Sequence, residues 1–125
     1  MSKWLKSLGF EYEVKVSVRL KMFIPNNDEW QAEEIACETF DKISNLFEAY
    51  FDDYNEIQHI PCGNGYEIEA EQIYVVNTSA FNHEQAMRDA EEVFNCTVIP
   101  DDIEMSVEAY DYEWVKEPCY EIVGE

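Results

Sequence analysis

From Glu11 to Ile24 apolar and polar residues alternate. Tyr12, Val14, Val16, Val18, Leu20 and Met22 are interleaved with Glu13, Lys15, Ser17, Arg19 and Lys21. A period of two held over this length predicts a strand with one buried face. Pro25-Asn26-Asn27 ends it. Beyond that breaker the period changes. Ala32, Ala36, Phe40, Ile43, Phe47, Tyr50 and Tyr54 recur at steps of three and four, which predicts a long helix from Asp28 to about Tyr54 with one apolar stripe. Asp28 and Glu29 suit its positive N-terminal end.

A short segment from Glu56 to Ile60 then meets Pro61, whose missing ladder donor places that strand at a sheet edge. Asn64-Gly65 predicts a two-residue hairpin turn, because both residues tolerate positive φ. Tyr66 to Val76 reads as the returning strand, with Tyr66, Ile68 and Ala70 alternating with Glu67, Glu69 and Glu71. A second helix begins near Asn82, where Asn82 with Gln85 has capping-box spacing and Phe81 with Ala86 fits a hydrophobic staple. Ala86, Met87, Ala90, Val93 and Phe94 form its apolar face. After Pro100-Asp101-Asp102, Ile103, Met105, Val107 and Ala109 alternate with Glu104, Ser106, Glu108 and Tyr110, giving a last long strand.

The resulting order, β-α-β-β-α-β, predicts an α+β fold of the ferredoxin-like split type: a four-stranded antiparallel sheet with two helices on one face. The whole chain, 1–125, reads as one domain, its core at 11–112 and its last stretch, 113–125, a tail or an extra edge strand. In that topology the first strand is central. Its outward Lys15, Arg19 and Lys21 then face Glu67, Glu69 and Glu71 on one side and Glu104 and Glu108 on the other, as cross-strand pairing favours. No internal repeat or low-complexity segment is expected.

Composition sharpens this picture. Hydrophobic residues make up 46% and aromatics 14%, too rich for a disordered acidic tail. No apolar run approaches the roughly 18 residues of a membrane-spanning helix, and no signal-peptide core follows the basic start. The cytoplasm is therefore the expected compartment, and Cys37, Cys62, Cys96 and Cys119 are expected to be reduced thiols, with Cys37 and Cys96 buried on helices. Their intervals match no zinc module. His59 and Cys62, three apart on a strand, point to opposite faces, which argues against a nucleophile pair. His83-Glu84 lacks the second histidine of a zinc-protease helix, because position 87 is Met, so His83 reads as a plain surface residue. Glycines are too few and dispersed for a phosphate loop, and Asp101-Asp102 and Asp52-Asp53 lack the glycine-centred frame of a calcium loop. No catalytic residue, cofactor or metal site is expected.

Charge is the feature that remains. Twenty-eight acids oppose eight bases, a net of -20. Five of those bases, Lys3, Lys6, Lys15, Arg19 and Lys21, lie in the first 21 positions with only two acids, so the other 104 residues hold 26 acids against three bases. Such a chain does not bind nucleic acid or an anionic membrane directly, since both require Lys and Arg to replace counterions. It suits a basic partner. In overall character (small, strongly acidic, α+β) the chain resembles phage anti-defence proteins, a likeness of character carried by no motif. The expected function is a nucleic-acid-mimic inhibitor occupying the basic surface of a nuclease, restriction enzyme or CRISPR-type effector. The expected contact residues are Glu33, Glu34, Glu38, Asp41, Glu48 and Asp52 on the first helix, and Glu67, Glu69, Glu71, Glu104 and Glu108 on the strands. Tyr110, Asp111, Tyr112 and Glu113 complete the set, tyrosine being a favoured interface residue. The alternatives are an acidic adaptor for another basic protein, a small enzyme or ligand-binding domain on this scaffold, and charge that serves only solubility or salt adaptation.

Overall fold

The alternation around Tyr12–Met22 becomes a strand, and a longer one than its clearest stretch. In the computed structural model, which describes residues 4–123 and the side chains of 10–114, β1 spans Trp4–Ile24. It is followed by α1 (Glu29–Ser44), β2 (Tyr50–Cys62), β3 (Gly65–Ala80), α2 (His83–Asn95) and β4 (Ile103–Val123). All strands pair antiparallel in one open sheet of order β2-β3-β1-β4. The class is α+β: four antiparallel strands and two helices.

The even-numbered residues of β1 from Tyr12 to Ile24 are buried, as are Ala32, Ala36, Phe40 and Ile43 of α1 and Ala86, Ala90 and Phe94 of α2, and all join one cluster. Both helices thus lie on the even face of β1. Each begins with a side-chain cap, Asp28 accepting from the amides of Trp30 and Gln31, and Asn82 from that of Gln85. Gln85 Oε1 in turn accepts from the Phe81 amide at 3.2 Å, closing a reciprocal bond akin to a capping box. Phe81 itself is mostly exposed, in place of the expected packing on Ala86. Cap, alanine, alanine and phenylalanine recur 54 residues apart, at Asp28, Ala32, Ala36 and Phe40 and at Asn82, Ala86, Ala90 and Phe94. That repeat of the βαβ half is too sparse to appear as sequence similarity.

Several expectations are corrected. The helix ends at Ser44, not Tyr54, and 50–62 is strand. Asp52 and Asn55 are extra residues in β2, bulged between Phe51/Asp53 and Tyr54/Glu56. The half-buried side chains therefore fall at Phe51, Tyr54, Ile57 and His59, and steps of three in a bulged strand imitate helical periodicity. The hairpin turn is Gly63-Asn64, one residue earlier than expected: Cys62 pairs with Gly65, and Gly63 has φ 58°. Cys96 caps α2 and is exposed, as is Cys62, while Cys37 is half-buried. Residues 113–123 prolong β4 along the start of β1, from Trp114 opposite Tyr12 to Val123 opposite Trp4, so they are neither a surface tail nor an additional strand. His83 is exposed but stacks on Tyr112, ring centroids 4.7 Å apart. Pro61 does sit on an edge strand.

One polar side chain enters the core. Gln72 is fully buried; its Oε1 accepts from Tyr74 Oη at 2.6 Å, and its Nε2 lies 3.3 Å from Tyr54 Oη. Tyr54 Oη donates to Asp41 Oδ1 at 2.5 Å. This chain of bonds joins β3 through β2 to α1. Burial, then the bond to Asp41, pushes the Tyr54 hydroxyl well above its ordinary range, and burial does the same to Tyr74.

Candidate protein-interaction surface

The odd-numbered residues of β1 face away from the helices, so register decides which charges meet there. Arg19 lies opposite Glu71 on β3 and Ser106 on β4, and Lys21 opposite Glu69 and Glu104. The bonds form directly and diagonally: Arg19 reaches Glu69 at 3.3 Å and Glu71 at 3.2 Å, and Lys21 reaches Glu67 at 3.9 Å. Of the three bases expected to meet the β3 glutamates, Arg19 and Lys21 do so, whereas Lys15 lies opposite Val75 and Asp111 and, like Glu104 and Glu108, makes no ion pair among the described residues.

Glu71 is the exception on this face. Its residue is only 9% exposed, although it points outward. Ser17 Oγ donates to Oε2 at 2.6 Å, the Arg19 guanidinium lies against the same oxygen, and the bulged Asn55 donates through Nδ2 to Oε1. These donors, Ser17 and Asn55 foremost, hold the carboxyl below the usual glutamate value despite its burial. Glu71 is therefore an internally satisfied anion, with a donor on each oxygen. Beside it the sheet surface dips. Ser17, Asn55, Glu71, Ile73, Glu108 and Tyr110 line a depression of about 250 Å³. Serine at position 17 leaves the floor low, and a second bulge, between Ala109 and Asp111, turns Tyr110 toward it.

The helical layer carries a separate acidic surface. Glu34, Glu38 and Asp41 are exposed on the side of α1 opposite its buried stripe, in a row whose members stand about 6 Å apart. Glu33 instead turns to the sheet edge, where it and Glu29 flank the His59 ring at 3.1 and 3.6 Å, with Trp30 edge-on to it. Burial, then the nearby Glu33 and Asp41, pushes the Cys37 thiol up to about 11, so it rests as the neutral thiol at neutral pH. Glu48 borders a groove with Asp89 and Glu92 beside α2.

The expected contact residues are thus divided. Glu34, Glu38, Asp41 and Glu48 belong to the helical side. Glu67, Glu69, Glu104, Glu108, Tyr110, Asp111 and Glu113 belong to the open sheet face, and Asp52 sits exposed on the β2 edge. Tyr112 lies on the even face, against Tyr12 and His83, next to an exposed Trp114 stacked on Phe10. Glu117, Tyr120 and Glu121, farther along the same strand, lie outside the described side chains. Ser17, Asn55 and Ile73 went unnoticed because nothing in the sequence marks a bulge or the low point of a sheet. Among the described residues no group of His, Cys, Asp and Glu is placed to hold a metal, and no helix is long and apolar enough to cross a membrane. No protein-family model, curated protein or solved structure shows a significant match to the chain.

Proposed function

We propose that this protein is an inhibitor that enters the basic channel of a nuclease, restriction enzyme or CRISPR-type effector and presents carboxylates where that channel takes phosphates. One observation carries the reading: exposed carboxylates that make no ion pair among the described residues occur on both sides of a two-layer domain, Glu34 and Glu38 on α1, beside the Tyr54-bonded Asp41, and Glu104, Glu108, Asp111 and Glu113 on β4. A flat basic patch uses one side of its ligand. A channel that encloses a duplex or heteroduplex meets charge on several sides, and a domain acidic on both faces suits it. One row of carboxylates is sparser than duplex phosphate, with one charge per roughly 1.7 Å of axis, so rows on two faces act together.

The order of elements and the strand order β2-β3-β1-β4 support the finer fold assignment, a ferredoxin-like split βαβ. The protein works in the cytoplasm, that of a host cell if its source is viral, as a counterpart of the phage anti-defence proteins it resembles. It has no catalytic role.

Capture from a host lysate tests this. Nucleic-acid enzymes that are retained and then released by added duplex DNA or RNA support it. Basic proteins that nucleic acid does not displace favour the adaptor, and the lack of any salt-sensitive partner sinks both. With the partner in hand, Glu34→Gln with Glu38→Gln, and separately Glu104→Gln with Glu108→Gln, each weaken binding about fivefold at low salt. Both lower the dependence of affinity on salt. A loss confined to one pair would replace the channel with a one-sided patch.

A further inference from the structure

We infer that the depression at the centre of the open sheet face is an arginine pocket, the point at which one guanidinium of the basic partner is gripped. It rests on the inhibitor reading and adds the chemistry of a single contact. The space, about 250 Å³, holds roughly eight waters at 30 Å³ each. That is room for the end of one long side chain.

The walls select the occupant. Glu108 lies directly across from Ser17 in the β1–β4 register, is exposed, and makes no ion pair among the described residues. It therefore offers both carboxylate oxygens to a planar donor fork. Tyr110, 47% exposed, and Ile73 supply flat and apolar surface for the face of that fork. Glu71 at the floor adds a fixed negative charge, and because Ser17, Asn55 and Arg19 occupy its oxygens, it attracts a cation without competing for its hydrogen bonds. Of the two bases that flank Ser17 on this face, Arg19 is already divided between Glu69 and Glu71, and Lys15 lies opposite the exposed Asp111.

Other occupants fit less well. A phosphate would face Glu71 and Glu108. A calcium ion needs six or more oxygens, and Glu108 is the one uncommitted carboxylate in the wall. A lysine ammonium gains the charge but neither the paired bonds nor the ring contact.

The test compares a nine-residue arginine peptide with a lysine peptide of equal length and charge, each titrated into the full chain at low and moderate salt. The arginine peptide binds roughly fivefold more tightly, and nuclear magnetic resonance signals of Ser17, Ile73 and Tyr110 move with it. Glu108→Gln and Tyr110→Ala, both on exposed positions and checked for unchanged circular dichroism, abolish that preference and leave lysine-peptide affinity nearly intact. Glu34→Gln with Glu38→Gln weakens both peptides alike. Equal affinity of the two peptides, or a preference that survives Tyr110→Ala, overturns the pocket while leaving the acidic inhibitor standing. Failure of both peptides to bind overturns the inhibitor reading and the pocket with it.

Discussion

A carboxylate largely shielded from water remains an anion only when donors and counter-charge replace its hydration. Glu71 meets that condition with Ser17, Asn55 and Arg19, drawn from β1 and β2 onto a residue of β3. The folded state holds its proton less tightly than the ordinary glutamate value of 4.5. Its contribution to stability is therefore complete above that value and is lost as pH falls through the lower, folded one. Glu71→Gln should cost about 1–3 kcal/mol at pH 7. Urea unfolding at pH 7 and again near pH 3 should show the gap between wild type and variant closing on the acid side. A gap of constant size would mean that acid acts elsewhere. The period of two placed Glu71 on the same face as Lys15, Arg19 and Lys21. Its burial was not legible, because that depends on the bulge that delivers Asn55 from another strand.

At the scale of elements, the sequence misled where a strand departed from its own period. Bulges at Asp52 and Asn55 space the inward side chains of β2 by three, and Phe47, Tyr50 and Tyr54 then extended the α1 stripe on paper. The same strand's turn offers a sharp discrimination. A Cβ on Gly65 would stand 2.2 Å from the Ile24 carbonyl oxygen and 2.8 Å from Pro25 Cα, whereas one on Gly63 meets nothing within 4 Å. Gly65→Ala should cost about 2–4 kcal/mol, since backbone must move. Gly63→Ala should cost only the left-handed φ, about 1–2 kcal/mol. Thermal melts of the two variants rank them, and the reverse order would restore the Asn64-Gly65 turn. Helix α2 and strands β1 and β4 were legible because caps, breakers and alternation agree there.

For the whole molecule the dominant quantity is a net charge of -20. Self-repulsion on this scale opposes compaction and is screened within about 10 Å at 0.1 M salt. Raising sodium chloride from 0.05 to 0.5 M should raise the melting temperature by roughly 3–5 °C, equivalent to about 1 kcal/mol. A flat response in scanning calorimetry would show that the repulsion is already relieved. The acids also spread over two faces, and this changes what partner geometry they suit. Layering sends the carboxylates of α1 and β4 to opposite sides.

The sequence by itself determined the class, the positions of both helix starts, the central place of β1 and the acidic excess. These follow from local periodicity, capping residues and composition, which are properties of neighbours along the chain. Only the tertiary structure decided that 50–55 is strand, that Glu71 is enclosed while Glu108 is exposed, and that Ser17, Ile73 and Tyr110 share one depression. Each of those depends on register and bulges, where one extra residue redirects every side chain that follows, and its cost or gain is settled by strands distant in sequence.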